Sequence, residues 1–120
     1  MIDNLMQKIK SNLTPDLLRP EYRRLNLNNP MFGHCYIASE ALFYLSGGKA
    51  SGLAIKRGRD DSNTSHWWLE NKETGEILDP TVEQYDMFDL DPPYQVGVRT
   101  GFLTRTPSKR AITLMQRVLT

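Results

Sequence analysis

Apolar residues recur at helical spacing at both ends of the chain. Near the N-terminus, five apolar residues between Ile2 and Leu13 fall on one face, which predicts a helix over roughly residues 2–13. Near the C-terminus, a similar stripe follows Pro107, with Thr106 as the expected N-cap. Both ends of the chain are therefore predicted to be amphipathic helices that bury one face.

A third apolar stripe lies nearer the middle of the sequence. It predicts a central helix that begins near His34 or Cys35 and ends at Gly47-Gly48, because glycine commonly follows the last helical turn. The residues after this helix change to the alternating pattern that is typical of strands.

Three segments after the central helix are predicted to be β-strands. They are Ala50–Arg57, Ser65–Glu70 and Glu76–Asp79. The last two flank the turn signal Thr74-Gly75 and form the best hairpin in the chain. Residues 82–100 show no clear period, although Tyr94–Arg99 resembles a further strand. Helices at both ends and strands between them predict one α+β domain over residues 1–120.

Charge and composition exclude several classes of function. The 120 residues include 15 Lys and Arg and 14 Asp and Glu, and the net charge of +1 gives no electrostatic reason to bind nucleic acid or anionic membrane. No apolar run approaches the roughly 18 residues that span a bilayer. Residues 1–13 carry charges and lack the apolar run of a signal peptide. We expect a cytoplasmic protein with neither nucleic-acid nor membrane partners.

The chain has a single cysteine, Cys35. One cysteine excludes an intramolecular disulfide and any zinc site built on several cysteines, and it suits a reducing compartment. Cys35 lies at the predicted start of the central helix. The unpaired amides and the helix dipole there favour the thiolate, and the Cys35 amide is well placed to bind an oxyanion.

His66 and Asp79 are predicted to meet on the hairpin. If the turn is centred near Glu73-Thr74, Trp68 lies opposite Asp79 and His66 is their diagonal neighbour, so all three project from one face. A carboxylate at that position would orient the imidazole and stabilise its charged form. A slip of one residue would place His66 and Asp79 on opposite faces.

Further candidates flank these three residues. Asn29, with Asn28 as a substitute, is a possible side-chain donor to an oxyanion, and Gly33 would let a substrate backbone pass closely. His34 and Trp68 complete the predicted substrate-binding set. Of the two adjacent tryptophans, we expect Trp67 in the core and Trp68 on the cleft.

The order of these motifs resembles the core of the transglutaminase-like superfamily within the papain-like cysteine enzymes. The matching pieces are Gly33-His34-Cys35-Tyr36-Ile37-Ala38, His66-Trp67-Trp68 and Leu78-Asp79-Pro80-Thr81. The resemblance implies a minimal papain-like fold, with Cys35 as nucleophile, His66 as base and Asp79 as the orienting acid. Where Asn29 stands, these families usually have glutamine. The tail "GFLTRTPSKRA" resembles segments of small uncharacterised bacteriophage proteins, which implies the host cytoplasm.

Three functions remain open at this stage. The first is a cysteine protease or amidase, or a related acyltransferase, that acts on a protein or peptide and needs no cofactor. The second is a protein-binding module on the same fold with the triad unused, such as a phage-encoded inhibitor of a host protein. The third is a metal site at Cys35 and His66 with His34 or Asp79, although the usual pair of closely spaced ligands is missing.

Overall fold

Helices and an antiparallel sheet make up the described part of the chain, so the predicted α+β class is confirmed. The computed structural model describes residues 2–18, 34–86 and 90–120. Its helices are α1 (Ile2–Ser11), α2 (Cys35–Leu45) and α3 (Lys109–Leu119). No helix within these ranges is both long and apolar enough to cross a membrane.

The sheet has four strands in the order β3-β2-β1-β4, and each neighbouring pair is antiparallel. The strands are β1 (Leu53–Arg59), β2 (Ser65–Asn71), β3 (Ile77–Leu78) and β4 (Val98–Thr100). The first strand begins three residues later than predicted, because residues 48–51 form a turn of 3₁₀ helix. Gly47 and Gly52 flank that turn with φ angles of 117° and 78°, which residues with a Cβ rarely adopt.

One face of the sheet packs on α2, and α1 and α3 pack on α2 and on each other, so the sheet and helices share one apolar core. The sheet contributes alternate residues such as Leu53 and Leu69, as period-two alternation requires. Each helix contributes the apolar stripe seen in the sequence. The fully buried helical residues of this core are Ile9, Ala38, Ala41, Leu42, Ala111 and Leu114.

The start of α3 differs from its prediction. The N-cap is Ser108 and not Thr106, and its hydroxyl accepts a hydrogen bond from the Ala111 amide at 3.3 Å. Ser108 is held there by the buried carboxylate of Glu40 on α2, which accepts from the Ser108 hydroxyl at 2.7 Å and amide at 3.0 Å. The cap position therefore depends on a contact between distant parts of the chain.

The opposite face of the sheet is covered by the segment that showed no clear period. Two turns of 3₁₀ helix, Val82–Tyr85 and Tyr94–Val96, are described in this segment, and β4 follows the second. The strand predicted over Tyr94–Arg99 is therefore wrong for its first half. These two turns bring aromatic and hydroxyl side chains onto the same face as His66 and Trp68.

Candidate active site

The hairpin has the register that was predicted from the turn. Leu69 pairs with Leu78, which places Trp68 level with Asp79, the residue that follows β3. His66 Nε2 lies 2.6 Å from Asp79 Oδ2, and His66 is fully buried. The predicted contact between these two side chains is therefore present.

Cys35 is the first residue of α2, as the sequence predicted, and it is 8% exposed. Its backbone amide belongs to the first helical turn, where amides have no acceptor within the helix. Its thiol neighbours His66 and supports the charged form of that ring. The structure thus brings together Cys35, His66 and Asp79, whose catalytic roles remain a prediction.

Opposing effects set the pKa of His66. Burial lowers the pKa, but the hydrogen bond to Asp79, the neighbouring Cys35 side chain and the charges of both groups raise it from 6.5 to about 9. Among the described residues, the buried His66 Nδ1 has no hydrogen-bond partner. Catalytic hydrogen bonds are often long or poorly aligned without substrate and tighten in its complex.

Both carboxylate oxygens of Asp79 accept hydrogen bonds from residues other than His66. Its Oδ2 accepts a second hydrogen bond, from the Tyr94 hydroxyl at 2.7 Å. Its Oδ1 accepts from the amide of Thr81 at 3.1 Å and from the hydroxyl of the same residue at 3.4 Å. Donors on both oxygens fix the orientation of the carboxylate plane.

A second carboxylate supports the site from the end of β1. Asp60 Oδ2 accepts from the Tyr85 hydroxyl at 3.0 Å, and the Tyr85 ring stands edge-on to the His66 ring at 5.1 Å. Burial raises the pKa of Asp60, but the hydrogen bonds from Ser62, Thr64 and Tyr85 lower it by more. The pKa of Asp60 is therefore below its ordinary value. No sequence signal assigned Tyr85 or Tyr94 to the site of Cys35, His66 and Asp79, because their segment carries no period that would place them on a face.

Comparison with known proteins adds no relative. No family model, curated protein or solved structure matches this chain. The site residues therefore rest on their own geometry.

Trp68 is not on a cleft, and this expectation was wrong. It is fully buried, with its ring stacked on His66 at 5.7 Å and edge-on to Tyr94 at 5.1 Å. The chain at Gly97 lies against the indole and covers it. Trp67 is buried on the opposite face as expected, edge-on to Tyr36 at 4.8 Å.

The other predicted site residues divide into two groups. Asn29, its substitute Asn28 and Gly33 lie outside the described residues. His34 is fully buried, and its Nε2 lies 3.0 Å from the carbonyl oxygen of Thr14, so it joins two segments of the chain and does not line a substrate surface.

The metal-site alternative needs a group of ligands. Within residues 2–18, 34–86 and 90–120, no three His, Cys, Asp or Glu side chains are grouped as metal ligands. The His66 ring already contacts Asp79 through Nε2, which leaves that nitrogen committed to the carboxylate.

Proposed function

We propose that this protein is a thiol-dependent acyl-transfer enzyme, most simply a cysteine protease or amidase on a papain-like core. The observation that carries the proposal is the buried His66, held by Asp79 at 2.6 Å, with the single thiol of the chain beside the ring. A nucleophile next to a base that a third group orients is the usual arrangement for covalent catalysis.

The reaction begins with attack of the Cys35 sulfur on an amide or ester carbonyl. If the thiol starts protonated, His66 takes its proton; if the pair starts as thiolate and imidazolium, the proton is already on the ring. The tetrahedral oxyanion is held by the Cys35 amide, with Asn29 as the proposed side-chain donor. The intermediate expels an amine or alcohol, which receives the proton from His66, and leaves a thioester on Cys35.

The thioester is resolved by a second nucleophile. Water attacks with His66 as base, the carboxylic acid leaves, and the free thiol is restored. An amine in place of water would give an acyltransferase by the same steps. We favour hydrolysis of a protein or peptide substrate in a reducing compartment such as the cytoplasm, where Cys35 stays a thiol.

The test measures alkylation of Cys35 by iodoacetamide between pH 5 and 9, followed by intact mass. Labelling is unambiguous because the chain has one cysteine, and Cys35→Ala supplies the unlabelled control. If Cys35 and His66 form the proposed thiolate–imidazolium pair, we expect rapid alkylation near pH 6, at least about tenfold faster than N-acetylcysteine. His66→Gln should remove this acid-side reactivity. A native thiol that never exceeds N-acetylcysteine at any pH contradicts the proposal.

A second readout tests acyl transfer itself. Mixing the protein with p-nitrophenyl acetate should give a burst of nitrophenol and an acetylated Cys35 that His66→Gln forms slowly. If the thiol alkylates rapidly but no acetyl adduct forms, Cys35 is reactive but the protein does not catalyse acyl transfer.

One observation favours a protein-binding module instead. Cys35 is only 8% exposed, so a bulky carbonyl has limited access to the sulfur. In that alternative the chain could be an inhibitor of a host protein, and Cys35→Ala would leave its binding unchanged. Slow alkylation of the native thiol together with normal reactivity after unfolding in urea would select this alternative.

A further inference from the structure

Two donors compete for one oxygen at the centre of the site. Asp79 Oδ2 accepts from His66 Nε2 at 2.6 Å and from the Tyr94 hydroxyl at 2.7 Å. A donor that shares an acceptor withdraws negative charge from it, so each of the two hydrogen bonds weakens the other. Tyr94 thus limits how strongly the carboxylate can hold a proton on His66.

The Tyr94 hydroxyl is fixed in place by its surroundings. Its ring is edge-on to Trp68, and the chain that follows closes onto the same indole. A Cβ at Gly97 would lie 2.3 Å from Trp68 Cζ2, and one at Gly58 would lie 3.1 Å from Trp68 Cη2. Such contacts leave the 3₁₀ turn that carries Tyr94 little freedom to move relative to β1 and β2.

We propose that Tyr94 is a positioning residue of this site. Its hydroxyl shares Asp79 Oδ2 with His66 and so weakens the hydrogen bond between that carboxylate and the imidazole. The role of Tyr94 in catalysis rests on the proposed function, but the two hydrogen bonds to Asp79 Oδ2 are present whatever the function. Tyr94 touches neither substrate nor thiol in this role and acts only through Asp79.

Several other titratable side chains of the described residues surround His66. The ring faces Cys35, Asp79 and the edge of Tyr85, and Asp60 lies behind Tyr85. Burial, followed by the charge and hydrogen bond of Asp79, holds the pKa of Tyr94 well above its ordinary value. Tyr94 therefore stays a neutral donor throughout the range in which His66 titrates.

The test is an NMR titration of the imidazole Cε1–H signals in a Cys35→Ala background. The chain has two histidines, and His66→Gln leaves only His34, which assigns both signals. Tyr94→Phe keeps the ring but removes the donor. We expect the acid dissociation constant of the His66 imidazolium to fall by about threefold to tenfold.

A replacement in the opposite direction makes the test specific. Exchange of Tyr94 for 3-fluorotyrosine supplies a more acidic phenol and a stronger donor, so the dissociation constant should rise. Tyr85→Phe is the matched control, because that hydroxyl serves Asp60 and its loss should leave His66 unchanged. If Tyr94 had only a structural role, both replacements would shift the His66 dissociation constant in the same direction.

Three outcomes overturn the inference: no shift in Tyr94→Phe, equal shifts in Tyr94→Phe and Tyr85→Phe, or the same sign for phenylalanine and fluorotyrosine. None of them depends on a working nucleophile, since the titration is made without the thiol. Failure here with rapid alkylation of wild-type Cys35 would leave the proposed function standing, and the reverse combination would leave Tyr94 in its role.

Discussion

His66 is buried and yet is held in its charged form, which ties protein stability to its protonation. The ordinary pKa of 6.5 applies to the unfolded chain, and the folded value is about 9. The folded state thus binds the proton more tightly. The resulting stabilisation is fully present below about pH 6.5 and is lost as the pH rises through about 9.

We expect the free energy of unfolding to fall by about 3 kcal/mol between pH 6.5 and pH values above 9. Urea denaturation at several pH values measures it. The pKa of Tyr85 and Tyr94 is raised chiefly by burial, so neither phenol ionises in this window. His66→Gln should flatten the profile. A wild-type stability that rises across the window would contradict the raised pKa.

Single residues also show where sequence reasoning works and where it stops. The pairing of His66 with Asp79 was predictable, because a turn position and strand alternation fix the register over a few residues. Tyr94 could not be assigned to Asp79, since that contact depends on how a non-repetitive segment crosses the sheet. Alternation placed Trp68 opposite Trp67, but it could not say what covers that face.

At the scale of elements, the 3₁₀ turn of Tyr94–Val96 can pack closely on the sheet because Gly97, which follows it, has no side chain. The φ of Gly97 is −67°, which alanine adopts freely, so any effect of a methyl group there is steric. That methyl would overlap Trp68, which is fully buried and cannot move aside.

We expect Gly97→Ala to lower the free energy of unfolding by about 2 kcal/mol or more and to separate Tyr94 from Asp79. Gly101→Ala is the matched control, since a Cβ there meets nothing within 4 Å. Thermal unfolding of both variants measures the difference. Equal stability of the two would show that the turn is not packed on Trp68 in this way.

Element prediction followed the strength of the repeating pattern. The three helices and the hairpin carry clear periods of 3.6 or two residues, and the structure has each of them. The two 3₁₀ turns and the three-residue strand β4 are too short to show a period. The cap of α3 shifted from Thr106 to Ser108, because the deciding partner, Glu40, lies 68 residues away.

At the scale of the whole molecule, the hydrogen bonds between Ser108 and Glu40 attach the C-terminal helix α3 to α2, the helix that begins with Cys35. Ser108→Ala removes a hydroxyl that caps α3 and donates to the buried Glu40 carboxylate. We expect a loss of about 2 kcal/mol in the free energy of unfolding. Thr113→Ala, which loses a hydroxyl bonded to the Lys109 carbonyl on the same helix, should change it by about 0.5 kcal/mol or less. Urea denaturation compares them, and equal losses would argue against the Glu40 contact.

The burial of β2 on both faces has a consequence for folding fidelity. Leu69 belongs to the apolar core on one face, while His66 and Trp68 are enclosed on the other. A misfolded form with β2 shifted by one residue would bury the imidazole in the core and lose its carboxylate. Such a form is penalised on both sides at once, so molecules that reach a stable fold have also assembled the His66–Asp79 pair correctly.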